Sequence, residues 1–433
     1  MNWGYLVVMS GFIMYTLFYG VLYNYNLLNI EFKHHFNASA TGTALPGSIA
    51  IMSSGVSASV VTYIYQVIGH RKTICIGVAL SSLGLLATSF VHDIQVVCIT
   101  YGVMFGLGCA FMHLPFVSVT SCYFKGRYLT RVLCFQFVGA SVGLSLAPGI
   151  EWLYSRYSWR VALRIIAIVL TVIGLPCTAV ATGNRSQEEN INEDSKDTKK
   201  VVKKSRKQTS SLFRYMTLMK TFNYVISMPA FLLMSVSVAF SYISLGIYLE
   251  NASLNTATIS LILSLMGAGD IVGRLSISFG SMHVPLSLTV QYILVIITTA
   301  GFTVAIPFST TQTSLIVVLT GLGMTRGMLF TAVVSAAIDV APTALSAEGL
   351  AMMYIFFGTG TFLAPYVTDN IYDKTGSYKL GIFVCVGTYI LAAALFTIGH
   401  IYKRYTNRSN MHSELMETKF ESVPMDEATE QPV

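Results

Sequence analysis

LILSLMGAGDIVGRLSISF, residues 261–279, is an apolar run that holds Asp270 and Arg274. An ionised side chain in hydrocarbon costs about 3 kcal/mol on insertion scales, so a pair of them is placed there for a reason. The spacing is i to i+4. On a helix the two side chains share a face, with Cβ atoms about 6 Å apart. They can neutralise one another, or separate and handle a charged guest. The run points to a polar path inside a bundle of membrane helices.

The rest of the chain agrees. Of its 433 residues, 54% are hydrophobic and only 11% charged, against about 25% charged in a soluble domain. The mean hydropathy is +0.63. A span needs about 20 apolar residues. About twelve fit, centred near residues 17, 56, 82, 106, 140, 171, 236, 267, 295, 326, 356 and 390. The net charge of +7 does not argue for nucleic acid, because the basic residues cluster at segment ends, where the positive-inside rule puts them. Met1-Asn2-Trp3-Gly4 leads directly into the first span, and no secretory cleavage site is visible. Cys75, Cys98, Cys109, Cys122, Cys134, Cys177 and Cys385 lie in or beside spans without metal-ligand spacing, and read as small hydrophobes at membrane depth. No cofactor or metal is implied. No Ser-His-Asp set, H-E-x-x-H motif or carboxylate cluster suggests an enzyme.

A polar segment containing NRSQEENINEDSKDTKKVVKKSRKQTSS divides the spans into two groups of six. Its first part is acidic (Glu188, Glu189, Glu193, Asp194) and its second basic (Lys199, Lys200, Lys203, Lys204, Arg206, Lys207). Such a segment cannot bury enough apolar area to fold alone and reads as a solvated tether; its basic end is also suited to anionic lipid. The organisation is a six-span half over residues 1–182, a cytoplasmic linker over 183–220, a second six-span half over 221–402 and a cytoplasmic tail over 403–433. The basic linker, His70-Arg71-Lys72 and Lys403-Arg404 fix the cytoplasmic side, and both termini lie there. The sequons Asn37-Ala38-Ser39 and Asn251-Ala252-Ser253 then fall outside, although such triplets are common by chance. From about residue 407 onward the chain reads as a disordered tail.

Two groups of six spans joined by a cytoplasmic linker match the major facilitator architecture, with a substrate site between the halves at the midplane. Several stretches narrow the resemblance. NWGYLVV at the start resembles the tryptophan-glycine signature of the monocarboxylate transporter family, without its usual acidic residue. CYFKGRYL resembles the family's loop motif after the fourth span, here Tyr123, Phe124, Lys125, Arg127 and Leu129. Gly139 and Gly143 follow, shifted and preceded by bulky Phe135 and Phe137, and Ser158-Trp159-Arg160 resembles the start of the sixth span. Asp270 and Arg274 match the Asp-x-x-x-Arg of the eighth span. Tyr372-Asp373-Lys374-Thr375-Gly376-Ser377-Tyr378, then Phe383 and Gly387, resembles the turn before the last span.

The resemblance implies an all-α membrane carrier of small organic anions with monocarboxylates as substrates, proton-coupled or facilitative. In it the matching arginine, Arg274, holds the carboxylate, and the matching aspartate, Asp270, serves the proton or gating step. It also implies a plasma-membrane protein, protons as possible partners, and a single-span glycoprotein chaperone of the basigin type for delivery. One departure stands out. Where proton-coupled members carry a first-span lysine, this chain has Tyr23, and no Lys or Arg occurs between Met1 and Glu31. A tyrosine with pKa about 10 does not readily present a cation or exchange a proton at neutral pH. A facilitative carrier, or one for larger or aromatic carboxylates, then stands beside proton symport.

Other residues carry two readings each. Arg326, in GLGMTRGMLF of the tenth span, either supplies positive potential to the cavity or pairs with an acid such as Asp339. His113, before Pro115, is either a proton-coupling group or a neutral histidine bonded to a carbonyl that the proline frees. Asn24, with Tyr23 and Tyr25, enters the cavity if that face of the first span points inward. Lys125 and Arg127 read as a cytoplasmic network or lipid anchor, Arg164 as a snorkelling side chain, and Glu348 and Asp369 as span ends. Gly321, Gly323 and Gly327 read as a close-packing face. Two rivals remain open: a major-facilitator carrier of aromatic amino acids or another organic solute, and a transport-inactive sensor signalling through its tail.

Overall fold

The computed structural model describes residues 3–124, 126–181, 216–280, 286–340 and 345–421. Among these, regular structure is helical throughout, with no strand. That is the outcome expected of an apolar chain in lipid, where each backbone N–H and C=O must find its partner within its own segment. Ten helices are long and apolar enough to cross a membrane, or eleven when Ala40–Val56 and Ala58–Ile68, bent by 53°, count as one. The longest stretch, Arg131–Val180, has 50 residues. At 1.5 Å per residue it would measure about 75 Å, far beyond a hydrocarbon core of about 30 Å. It breaks at Ser158, whose φ of 67° and ψ of 150° are not helical. Counted as two crossings, it completes the twelve expected spans.

The first span is Trp3–Tyr23 continued by Tyr25–Phe36. The second is the bent pair, the third His70–Thr88, and the fourth runs from Ile94 through a π-helical stretch, Cys98–Phe105, to Gly106–Tyr123. The fifth comprises Gly126–Ser145 and the arm of Ala147–Val180 before Ser158, and the sixth is the arm after it. The seventh is Phe222–Ile243 continued by Leu245–Asn251. The eighth is Thr256–Gly280, the ninth Leu288–Ala305, the tenth Gln312–Val340, the eleventh Ser346–Thr375. The twelfth, Lys379–Glu421, has 43 residues. It continues as helix to Glu421, where the polar sequence suggested a disordered tail. The rest of the linker and the sequence after 421 lie outside the described residues.

Two features reveal an internal repeat that the sequence hid. The first and seventh spans break at matching places, Asn24 and Ser244. Across the two halves, the second span packs on the eleventh and the fifth on the eighth. A two-fold axis along the membrane normal exchanges those two pairs, as a fold built from parallel repeats requires.

Small residues set how near the helices come. Gly269 and Gly273 on the eighth span face Gly323 and Gly327 on the tenth. A Cβ at Gly273 would collide with the Met324 carbonyl oxygen, and one at Gly327 with that of Asp270. These are two small-xxx-small stripes in contact, the means by which lipid-embedded helices gain dispersion contact where no hydrophobic effect drives them together. The consequence is local: Arg326, next to Gly327, is delivered to Asp270.

One end of the bundle is tied across the halves. Asp373 of the eleventh span accepts hydrogen bonds from Ala40 N (2.9 Å), Thr41 N (3.0 Å) and Thr41 Oγ1 (2.6 Å), at the start of the second. A carboxylate there meets the exposed amides of a helix N-terminus. His34 Nε2 lies 2.5 Å from Glu250 Oε1. Asn26 donates to the Ser241 carbonyl (2.9 Å) and accepts from Gly246 N (2.9 Å), while Asn29 donates to the Ile243 carbonyl (2.7 Å). The asparagines thus satisfy backbone groups freed where the seventh span breaks. At the opposite end Trp3 Nε1 donates to the Val180 carbonyl within the first half (3.1 Å).

Candidate functional site

The helix geometry expected of Asp270 and Arg274 is present. Arg274 Nε donates to Asp270 Oδ2 at 2.8 Å. Arg326 Nε donates to Asp270 Oδ1 at 3.2 Å, from the tenth span. Ser141 of the fifth span donates to Asp270 Oδ2 and accepts from Arg274 Nε (2.8 Å). One carboxylate therefore faces two guanidiniums, leaving one net positive charge. Asp270, Arg274 and Arg326 are 1%, 4% and 1% exposed. Burial of a lone charge is costly, so an uncompensated cation at this depth calls for an anion. Nη2 of Arg274 and Nη2 of Arg326 are buried and have no hydrogen-bond partner.

Arg274 lies on the wall of a cavity between the halves. On the measure in which one water takes about 10–15 Å³, the cavity holds about 130 Å³, room for a small organic molecule. It lies on the Trp3 side of the cross-half ties. Tyr23 of the first span stacks on Tyr242 of the seventh, with ring centroids 4.2 Å apart, and both line it next to those ties. Arg326 stands behind Tyr242, its guanidinium carbon 4.1 Å from the ring centre, and Arg274 lies over Phe330 at 5.6 Å. These contacts hold each guanidinium plane by cation–π attraction.

Other expected residues fall differently. His113 is on the wall, with Nδ1 2.8 Å from the Tyr15 hydroxyl. That hydroxyl, not a carbonyl freed by Pro115, is the partner of the ring. Asn24 is away from the wall: its Nδ2 donates to the carbonyls of Gly20 (2.7 Å) and Gly143 (2.9 Å), tying the first span to the fifth. Tyr25 likewise donates to the Thr43 carbonyl (2.6 Å). Arg326 meets Asp270; the side chain of Asp339 lies outside the described residues. Lys125 and the side chain of Arg127 also lie outside them. Asp369 is not at a span end but fully buried, accepting from Ser244 (2.8 Å), Thr368 (3.0 Å) and Tyr378 (2.8 Å). Arg164 Nε donates to Ser89 Oγ (3.1 Å). Ser141, Tyr242 and Tyr354 carried no signal in the sequence, because a serine among glycines reads as packing and an aromatic in a span reads as lipid-facing or core.

Beside this fold of twelve helical crossings in two halves, the chain matches the family model of the Major Facilitator Superfamily over residues 9–365. The chain belongs to the major facilitator superfamily. Within it, this facilitator is similar to monocarboxylate transporters. It is 26% identical to monocarboxylate transporter 13 of Bos taurus over 432 residues, covering 98% of this chain and 96% of the relative. It is 22% identical to monocarboxylate transporter 12 of Homo sapiens, covering 93% and 81%. With monocarboxylate transporter 11 of Mus musculus it shares 30% identity over 180 residues, 41% of this chain and 40% of that one. The similarity to the first two runs through both halves of the facilitator.

Proposed function

We propose that this protein is an alternating-access carrier of small organic anions, with monocarboxylates as its substrates. The observation that carries the reading is the arrangement of two guanidiniums on one carboxylate, with Arg274 on the cavity wall and a free Nη2 on each. The substrate carboxylate takes donors of Arg274. Asp270 yields part of its claim on Arg274 and stays compensated by Arg326, so neither charge is left alone in low dielectric. That arrangement gives the ion pair two states that a ligand can bias, as a ligand-driven transition requires.

The site also spans the moving parts. Ser141 belongs to the first half, Asp270, Arg274 and Arg326 to the second, so rocking of the halves alters the bonds that hold Asp270. Arg326 Nη1 donates to Ser241 Oγ (3.3 Å), and the carbonyl of the same serine accepts from Asn26. The charged site is therefore in hydrogen-bonded continuity with the ties at the far end. In this reading those ties close the extracellular side, the cavity faces the cytoplasm, both termini are cytoplasmic, and the protein works at the plasma membrane with a single-span glycoprotein chaperone for delivery.

The test is uptake of radiolabelled carboxylates into proteoliposomes, with and without an inward proton gradient. Saturable carboxylate uptake that Arg274→Ala abolishes, with normal reconstitution, supports the reading; unchanged uptake in that variant would sink it. Stimulation by the gradient means symport despite Tyr23, with Asp270 and His113 as the titratable groups to examine. Gradient-independent uptake means facilitated diffusion.

A further inference from the structure

The cavity carries its fixed charge on Arg274, beside Tyr23, Tyr242 and Phe330, and a second group of rings lines another part of its wall. Among the described residues of the wall, Arg274 is the one side chain with a fixed charge, and no carboxylate is present. Asp270 is withdrawn behind the wall, both oxygens occupied by guanidinium and hydroxyl donors. Elsewhere on the wall a cluster of rings stands among aliphatic and small side chains such as Ile51, Leu114 and Met353. Tyr15 packs on Tyr19 and edge-on to Phe137, and His113 stacks on Phe137 and meets Tyr354 edge-on. These rings come from the first, fourth, fifth and eleventh spans, so both halves contribute to one aromatic chamber.

We infer that the preferred substrate is an aryl-substituted monocarboxylate without an α-ammonium group, its carboxylate at Arg274 and its ring in the chamber of Tyr15, Phe137 and Tyr354. The inference rests on the carboxylate reading above and adds two separable claims.

The first claim concerns the ring. A short hydroxy or keto acid leaves this chamber empty, whereas an aryl group gains edge and stacking contacts with several rings. The second concerns the ammonium of an amino acid. It is bonded to the carbon beside the carboxylate, so clamping the carboxylate on Arg274 carries it to the same end of the cavity. There it meets two guanidiniums offset by a single, fully engaged carboxylate. Of the rings nearest that end, Phe330 and Tyr242 each already carry a guanidinium and Tyr23 is stacked on Tyr242, so a third cation gains little from cation–π attraction there. The acceptors at that end are neutral, the hydroxyls of Tyr23 and Tyr242, and a buried cation without a counter-charge is strongly disfavoured. A chamber open to aryl groups and a charged end closed to ammonium groups select the deaminated counterpart of an aromatic amino acid over the amino acid itself.

Three probes separate these claims, because each differs from 3-phenylpropanoate by one group: propanoate lacks the ring, and L-phenylalanine adds the ammonium. Binding of each to the purified full-length protein is measured by titration calorimetry. The expected result is 3-phenylpropanoate binding at least about tenfold more tightly than either. Phe137→Leu, which keeps apolar bulk and loses the ring, should narrow the gap to propanoate. Propanoate binding as tightly as 3-phenylpropanoate overturns the aryl chamber. L-Phenylalanine binding as tightly overturns the exclusion of ammonium. If no probe binds, or if Arg274→Gln elutes as a folded monodisperse protein and binds all three undiminished, the carboxylate reading falls and this inference with it.

Discussion

Asp270 is the residue on which the charged site turns. It is the sole carboxylate in contact with either Arg274 or Arg326 among the described side chains. Asp270→Asn therefore strands two buried guanidiniums. Breaking a buried ion pair from one side costs about 3–5 kcal/mol, which should appear as a marked fall in the melting temperature of the purified protein. Removing one of the stranded cations as well, in Asp270→Asn with Arg326→Leu, should recover much of that loss without recovering transport. A double variant no more stable than the single one would mean that Arg326 and Asp270 are not energetically coupled. Arg326→Lys keeps the charge but loses the planar group that lies on Tyr242 while donating to Asp270 and Ser241 at once. Carboxylate flux should drop about tenfold, one lost hydrogen bond to a charged group being worth about 1.5–3 kcal/mol; flux at the wild-type rate would show that the second guanidinium need only supply charge.

At the scale of the element, the eighth and tenth spans are joined by glycines whose spacing delivers Arg326 to Asp270. Gly327→Ala sets a methyl group against the Asp270 carbonyl, and the helices must separate. Overpacking of this kind costs about 1–3 kcal/mol. The expected outcome is a lower melting temperature together with weakened carboxylate binding. Gly301→Ala, on the ninth span where nothing lies within 4 Å, is the matched control and should alter neither. Equal effects from the two substitutions would show that the close approach is not what matters. The breaks at Asn24 and Ser244 are the other decisive local features. They release carbonyls in mid-bundle, and Asn26 and Asn29 find those of the seventh span from across the interface.

For the whole molecule, the ties among His34, Glu250, Asp373 and the start of the second span all join one half to the other at a single end. If transport requires rocking of the halves, that end must open in every cycle. Cysteines introduced together as His34→Cys and Glu250→Cys, once cross-linked, should arrest uptake, and a reductant should restore it. Uptake that persists in fully cross-linked protein would rule out opening at that end. Asp373→Asn works in the opposite direction. It weakens the hold on the amides of Ala40 and Thr41, and should raise the accessibility of the cavity to a membrane-impermeant thiol reagent from the Asp373 side, read at a cysteine placed on the wall.

Asp270 and Arg274 were legible as a pair because an α-helix fixes the i to i+4 relation wherever it forms, and twelve spans were legible because lipid demands long apolar helices. The polar tail was not read as helix, since its composition carries no signal that the helix of the last span continues to Glu421. Arg326 was legible as a misplaced charge, but its partner was not: it stands 56 residues from Asp270, and no local rule spans that distance. The same holds for Ser141 with Asp270, Asn26 with the broken seventh span, and the rings of four spans that make one chamber. Sequence alone determined which charges enter the membrane and how they lie along their own helices, because backbone geometry and solvation act locally. Tertiary packing alone decided which of them meet, because contacts between helices depend on where small residues on one stripe admit the backbone of another.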